Sequence, residues 1–311
     1  TENQFLGKKE ALLNIHFPKS QELLAKAQYR LKFEELFFIQ LQLLQKKLIR
    51  KSKIKGYVFD KVGDDFTNFY NNYLPFDLTN AQKKVLKEIR KDIGSGAHMN
   101  RLLQGDVGSG KTIVALLTML IAIGNGYQAT IMAPTEILAI QHYNGIVELL
   151  SETNIKVDFL TGSVRTPKRR EIHAGLEDGS LHILIGTHAV LEDKVQFKNL
   201  GISIIDEQHR FGVAQRSKMW QKNELPPHVL VMTATPSPRT LAMSVYGDLD
   251  ISVIDELPPG RKEIKTVHRY DSNRLSVFKF LKDEIDKGRQ AYVVYPLIQE
   301  SEAMDYKDLM D

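Results

Sequence analysis

A glycine-rich segment that ends in lysine and threonine carries the strongest chemical signal in the sequence. Residues 105–112 read GDVGSGKT and fit the pattern G-x-x-x-x-G-K-[ST] between a predicted strand and a predicted helix. Backbone N–H groups in such a loop wrap phosphates, and the helix N-terminus adds partial positive charge. This context disfavours the alternative of an ordinary glycine-rich turn. The segment therefore predicts a nucleotide-phosphate site.

The side chains of this loop indicate separate tasks. Lys111 would reach the β- and γ-phosphates, and the hydroxyl of Thr112 would ligate Mg²⁺. The other positions that we predict to bind nucleotide are Gly105, Gly108, Ser109 and Gly110.

An acidic pair follows an apolar run about a hundred residues later. Asp206 and Glu207 come directly after the predicted strand at 202–205. Asp206 would hold Mg²⁺ through water, and Glu207 would orient or deprotonate the attacking water. Acidic residues at a strand end can also simply be exposed to solvent, without a catalytic role. Their position after a phosphate loop, in a sheet whose strand ends share one edge, favours the catalytic interpretation.

Three further predicted strands end in small or hydroxyl-bearing residues. These ends are 133–136 (APTE), 186–188 (GTH) and 233–235 (TAT). Backbone amides and hydroxyls at a strand's carboxyl edge can reach the phosphates of a substrate, which suits contact with a nucleic-acid backbone.

The elements that must position these residues alternate between short apolar runs and helical patterns. The runs lie at 101–104, 129–133, 182–185, 202–205 and 229–232, and the helical patterns at 80–93, 111–123, 137–150, 168–177 and 237–246. Runs that are apolar on both faces predict an α/β fold with a parallel sheet covered on both sides.

The flanking regions differ from this central region. Residues 20–50 predict one long helix that ends in a run of bases, which could be a DNA-backbone stripe, a solvated face or a structural brace. A linker at 257–260 precedes a helical pattern near 273–287 and a predicted strand at 291–295, where the alternation starts again. We predict a helical arm at 1–56, a complete lobe at 57–260 and the incomplete start of a second lobe at 261–311.

Composition bounds the possible functions. The 311 residues include no cysteine, which excludes disulfide scaffolds and cysteine nucleophiles, and no apolar stretch is long enough for a membrane span. The net charge of +4 is distributed unevenly along the chain. Residues 1–56 contain 12 Lys and Arg and five Asp and Glu, whereas the remaining residues contain 30 Lys and Arg and 33 Asp and Glu. We expect no uniformly basic surface. The chain begins at Thr1, which we interpret as part of a longer or processed protein.

The ordered motifs together resemble superfamily-two helicases and translocases, because Gln208 and His209 complete a DExH-type box after Asp206 and Glu207. The runs NRLLQGDVGSGKT, IIDEQHRFGVAQR, VMTATPSPRTLA and YVVYPLIQESE, with IHFP and the helix FEELFFIQLQLL, resemble the RecG family of bacterial branch-migration helicases. The resemblance implies ATP and Mg²⁺ as cofactors, a P-loop RecA-like fold, branched double-stranded DNA as the partner, and a monomer in the bacterial cytoplasm.

The resemblance also implies roles for individual residues. His209 joins Lys111, Asp206 and Glu207 in the catalytic set. Residues that would follow the nucleic-acid backbone are Pro134, Thr135, Glu136, Thr161, Gly162, Ser163 and Thr187. Residues that would couple nucleotide state to those contacts are Gln208, Thr233, Ala234 and Thr235.

Weaker signals have ordinary alternatives. Phe76 and Gln82 resemble the adenine-reading element of these helicases, with Phe76 stacking on the ring and the Gln82 amide meeting its edge. Thr79 and Gln82 also form the pattern of a helix capping box. His142, His173 and His182 are interpreted most simply as surface or satisfied histidines.

Two other functions remain open from the sequence. The box and the RFGV that follows are similar to those of the transcription-repair coupling factor family, although a Glu-Gln pair is expected there in place of Gln208 and His209. The second alternative function is a non-catalytic nucleic-acid-binding module.

Because the family's arginine fingers and wedge domain have no counterpart here, we expect this chain alone to hydrolyse nucleotide slowly.

Overall fold

The computed structural model describes residues 5–206, 225–234, 249–258 and 264–294. The chain divides into two compact units, residues 1–260 and residues 261–311. The first unit contains both the N-terminal helical arm and the sheet that bears the predicted motifs.

The first unit is built on a seven-stranded parallel sheet in the order β3-β4-β2-β5-β6-β1-β7. The strands are β1 Asn100–Gly105, β2 Gln128–Met132, β3 Val157–Leu160, β4 Ile183–Gly186, β5 Leu200–Asp206, β6 His228–Thr233 and β7 Asp250–Ile254. Five of them were predicted, and the parallel α/β sheet is confirmed. The two strands that the sequence did not predict, β3 and β7, are the sheet edges, where burial is incomplete and the apolar signal is weaker.

Helices alternate with the strands as the periodicity predicts. They are α1 Lys8–His16, α2 Gln21–Lys53, α3 Asp64–Asn68, α4 Asn80–Ile93, α5 Lys111–Gly124, α6 Glu136–Leu149, α7 Thr166–Asp178 and, in the second unit, α8 Arg274–Asp286. The predicted helix at 237–246 lies outside the described residues. The predicted strand at 291–295 is wrong for residues 291–294, which form no strand, because an extended segment needs a neighbour with which to hydrogen bond.

Two apolar cores cover the two faces of the sheet. One core is formed with α4, α5 and α6, and the other with α7 and the short turn His188–Leu191. Helix α5 is apolar almost all round, and every residue from Ile113 to Ala122 is buried. A helix that is apolar on all sides belongs in a protein interior, so the helix that starts at the phosphate loop is fixed by its surroundings.

Helix α4 is tied to the sheet by a buried arginine. Arg101 on β1 donates from Nη2 to Asp92 Oδ2 at 2.7 Å and from Nη1 to Ser252 Oγ of β7 at 2.7 Å, and it also pairs with Glu88 at 3.3 Å. A buried guanidinium requires such partners because an unpaired charge in the interior is costly. These bonds fix the position of α4 relative to the strand that leads to the phosphate loop.

The long helix α2 is held to the sheet by part of its basic end. Lys47 and Lys51 both form ion pairs with Asp250 of β7, the latter at 3.0 Å. Burial of Asp250 disfavours its charge, but the two lysines together outweigh that effect and hold the pKa of this carboxyl below its usual value. For these two lysines the contacts are those of a structural brace.

A buried histidine gives the first unit a predictable acid sensitivity. His228 accepts the Met99 N–H at Nδ1 (3.0 Å) and donates from Nε2 to Tyr57 O (2.8 Å), so both ring nitrogens are used by the neutral form. Burial lowers the pKa of His228 to about 4. The unfolded chain binds this proton near pH 6.5, whereas the folded chain binds it only near pH 4. The contribution of neutral His228 to the free energy of unfolding is therefore fully present above pH 6.5 and falls as the pH drops toward 4.

We expect this histidine to remove about 3 kcal/mol of unfolding free energy between pH 7 and pH 4. Urea unfolding at a series of pH values measures the loss. His228→Asn keeps an acceptor at the place of Nδ1 but does not titrate, so its loss over the same interval should be smaller by about that amount. Identical pH profiles for the two proteins would contradict the assignment.

The second unit is described only in part. It contains α8, preceded by a short turn at Asp271–Asn273. Across the described stretches of the chain, no helix combines the length and apolarity needed to cross a lipid bilayer.

Candidate functional site

The phosphate loop connects β1 to α5 and has the backbone that its glycines predict. Gly108 and Gly110 have φ of +76° and +86°, in the left-handed region that favours glycine. At Gly105, a Cβ atom would lie 2.5 Å from Ser109 Oγ and 3.2 Å from Ile254 Cβ, so a larger residue would displace these neighbours. The Lys111 ammonium donates to the carbonyl oxygens of Gly105 (2.8 Å) and Asp106 (3.0 Å), which places it over the loop.

Gln82 joins α4 to this loop. Its Oε1 accepts the Thr79 N–H at 2.9 Å, and Thr79 Oγ1 accepts the Gln82 N–H at 3.2 Å, so the capping box is present. Its Nε2 donates to Ser109 O at 2.8 Å, and a Cβ at Gly110 would overlap that amide. Gln82 is therefore buried and supports the loop, whereas Phe76 is 49% exposed. Contact of these two residues with adenine stays a prediction.

A cleft of about 620 Å³ opens beside the loop at the carboxyl edge of the sheet. The loop, α6 and the ends of β5 and β6 all contribute to its lining: Val107, Gly108, Gly110, Lys111, Thr112, Leu138, Gln141, His142, Gly145, Asp206, Met232 and Ala234. A lysine, a hydroxyl and a carboxylate thus converge on one space with the N-terminus of α5. This donor set fits Mg²⁺ bound together with a nucleotide triphosphate, since Mg²⁺ prefers a few oxygen ligands plus phosphate and water.

In the described part of the chain, no group of three or more His, Asp or Glu side chains is arranged to hold a metal ion. The candidate ligands here are instead one hydroxyl, of Thr112, and one carboxylate, of Asp206. Such a sparse protein contribution is usual where substrate phosphates complete the coordination of Mg²⁺.

His142 on α6 forms the direct contact with the Asp206 carboxylate. Its Nε2 lies 2.7 Å from Asp206 Oδ2, and the two side chains are 11% and 12% exposed. A carboxylate oxygen only accepts, so Nε2 carries the proton and donates it in this bond.

A second polar cluster lies where α6 begins. The Glu136 carboxylate accepts hydrogen bonds from Thr161 Oγ1 at 3.0 Å and from Ser163 Oγ. Arg169 of α7 closes the other side of this loop, donating to Thr161 O at 2.8 Å and to Val164 O at 3.1 Å. Two of the predicted backbone-binding segments, 134–136 and 161–163, are thereby brought together.

The remaining predicted site residues fall into two groups. Thr135 caps α6 by accepting the Leu138 N–H at 3.3 Å, and Thr187 and Thr233 are buried at the ends of β4 and β6. Ala234 lines the cleft. The other group lies outside the described residues: Glu207, Gln208, His209 and Thr235.

The interpretation of His142 as a surface or satisfied histidine agrees with its bond to Asp206. Its position beside the cleft and the contacts of Arg169 were not predicted, although residues 135, 138, 142 and 145 recur at the spacing of one helix face. That face lines the cleft at Leu138, His142 and Gly145. The periodicity could therefore have identified His142. No comparable signal singles out Arg169 among its basic neighbours.

Known proteins share both the sequence and the fold of this chain. The DEAD/DEAH box helicase family model matches residues 79–244. The ATP-dependent DNA helicase RecG of Synechocystis sp. is 48% identical over 297 residues, and that of Aquifex aeolicus is 51% identical over 281 residues. These matches cover 96% and 89% of this chain but only 36% and 35% of the relatives, so the chain spans little more than a third of their length.

Solved structures give the same result at the level of the fold. A structure of RecG bound to a three-way DNA junction matches with a TM-score of 0.80 and 45% identity, over 95% of this chain and 40% of that one. The helicase MrfA matches with a TM-score of 0.56 and 17% identity, over 76% of this chain and 39% of that one, which shows the fold alone. The RecA-like fold that the motifs predicted is confirmed.

Proposed function

Since this chain belongs to the DEAD/DEAH box helicase family, we propose that it carries the ATP-binding lobe of an ATP-dependent DNA helicase of the RecG kind, which remodels branched DNA in recombination and repair. One observation carries the proposal. Lys111, Thr112 and Asp206 line a single cleft at the carboxyl edge of a parallel sheet, where such folds bind their ligands.

Each of these residues has a task in ATP hydrolysis. Mg²⁺, bound by Thr112 and through water by Asp206, would neutralise charge on the phosphates. The loop amides and Lys111 would hold the β- and γ-phosphates in place, and Glu207 would orient the attacking water. His209 completes the catalytic set by analogy with the family's box.

Base recognition falls to the residues before and within α4. Phe76 is exposed enough to stack on adenine. The Gln82 amide already bonds Thr79 and Ser109, so any contact with the adenine edge would use its second proton and second lone pair. In this proposal Gln82 reads the base and supports the loop at the same time.

Amides and hydroxyls at the strand ends would contact the DNA backbone. The segments 134–136 and 161–163 share the Glu136 cluster and would act together, with Thr187 beside them. Thr233 and Ala234, with Gln208 and Thr235, would couple nucleotide state to these contacts. Lys47 and Lys51 are bound to Asp250, so they are poor candidates for phosphate contact.

We also propose a monomer that works in the bacterial cytoplasm. The two relatives compared above are bacterial RecG proteins, and one solved RecG structure contains a three-way DNA junction. Branched double-stranded DNA is the partner that this likeness supports.

The test is the ATPase rate of the full-length protein with no DNA, linear duplex or a four-way junction. We expect the junction to raise kcat well above both other conditions, together with strand displacement in the absence of any RNA polymerase. Equal rates in all three conditions would contradict a branched-DNA helicase, and a requirement for RNA polymerase would favour a coupling factor instead.

A further inference from the structure

Helix α6 places a histidine against the carboxylate that is proposed to hold Mg²⁺. The helix begins after its cap Thr135, and His142 lies seven residues later on the same face, which also presents Leu138 and Gly145 to the cleft. The 2.7 Å bond from His142 Nε2 joins Asp206 Oδ2 to a rigid helix, so the carboxylate does not rest on the strand end alone.

The bond occupies one of the two oxygens of Asp206 in a largely dry setting, with the two side chains 11% and 12% exposed. An Asp side chain turns about two torsions, and a donor on one oxygen restricts both of them. The other oxygen stays available to water or metal. Partners of this kind orient metal-binding groups, and their loss typically reduces metal affinity or activity by about 10–100-fold.

The same helix is bonded at its N-terminal end to the loop that is proposed to contact DNA. Glu136 bonds Thr161 and Ser163, and it precedes His142 by six residues, about 9 Å along a helix axis. A single rigid element therefore touches both sites. A contiguous physical connection of this kind can carry coupling between two sites.

We propose that His142 is a positioning residue, which holds the Asp206 carboxylate in the orientation that Mg²⁺-nucleotide binding requires and ties that orientation to α6. The inference rests on the proposed function of the cleft. It assigns His142 no part in proton transfer, because its contact is with the carboxylate and not with the reacting phosphate.

The experiment compares His142→Gln, His142→Asn and His142→Ala in the full-length protein. The Nε2 of glutamine is separated from Cβ by the same number of bonds as the Nε2 of histidine, whereas the amide nitrogen of asparagine is one bond closer. Only His142→Gln can therefore restore the donor. His173→Ala on α7 is the matched control, since it removes a helical histidine outside the cleft.

The first readout is the affinity for a fluorescent ADP analogue with EDTA and with excess Mg²⁺. Without Mg²⁺, all variants should match the wild type. The gain in affinity that Mg²⁺ supplies should fall by about 10–100-fold in His142→Ala and His142→Asn and be largely kept in His142→Gln. The second readout is junction-stimulated kcat, which should fall in the same order.

Three outcomes would overturn the proposal. The first is an undiminished Mg²⁺ gain in His142→Ala, and the second is an equal loss of affinity with and without Mg²⁺, which would mean only a structural role. The third is equal behaviour of the Gln and Asn variants. If the wild type shows no DNA-stimulated turnover, the proposed function fails. The comparison of EDTA with Mg²⁺ would still decide the role of His142.

Discussion

Replacing Lys111 with alanine in the full-length protein is expected to lower ATP turnover by at least about 10²–10³-fold. The ammonium lies over the phosphate loop, 2.8 Å from Gly105 O and 3.0 Å from Asp106 O, and no other lysine or arginine lines the described cleft. Removal would take away the side-chain positive charge that, together with Mg²⁺, would oppose the negative charge developing on the γ-phosphate. Steady-state phosphate release, measured with a saturating four-way junction, gives the effect.

Binding of the junction itself should change little, because Lys111 lies over the phosphate loop inside the cleft that is proposed to hold the nucleotide. Lys156→Ala is the matched control, since Lys156 is an exposed lysine before β3 and lies outside the cleft. Near-normal unwinding by Lys111→Ala would show that the cleft is not the hydrolytic site. A parallel loss of junction binding would point to misfolding instead.

Replacing Gly186 with alanine should cause a large loss of stability for a substitution that adds a single methyl group. Gly186 ends β4, and its added Cβ would overlap the backbone carbonyl oxygen of Leu160 on β3 and lie 2.8 Å from Val190 Cγ2. Neither neighbour is the free end of a flexible side chain, so strands must move apart. We expect the unfolding free energy to fall by about 1–3 kcal/mol, measured by urea unfolding without nucleotide.

Gly145→Ala adds the same methyl group at a position where there is room for it. A Cβ at Gly145 meets nothing within 4 Å, and the position is inside α6. Alanine there should raise stability by about 0.5–1 kcal/mol. If both substitutions changed stability equally, the close approach of Gly186 to Leu160 would not be a determinant of the fold.

The sequence predicted those parts of the site that are encoded locally. The loop at 105–112 specifies its own conformation through Gly108 and Gly110, and the buried run before Asp206 needs no distant partner to indicate a central strand. In a parallel sheet all strand ends with this polarity meet at one edge. The convergence of Lys111, Thr112 and Asp206 followed from these local facts.

Pairings between distant residues could not be predicted in the same way. His142 and Asp206 are 64 positions apart, and their contact depends on the exact rotation of α6 against β5. Likewise, the bond from Gln82 to Ser109 depends on where α4 packs, which Arg101 determines through Asp92 and Ser252. Tertiary packing, and not local pattern, decides such contacts.

The strand order has a consequence for how this lobe resists opening. β1, which leads into the phosphate loop, is hydrogen-bonded on both sides, by β6 and β7. β3, which leads into the loop at 161–163, is a four-residue edge strand with one neighbour, β4. Edge segments open at lower free energy than central ones. We therefore expect local opening of this lobe to begin at β3, just before residues 161–163, while β1 keeps the phosphate loop anchored between two neighbouring strands.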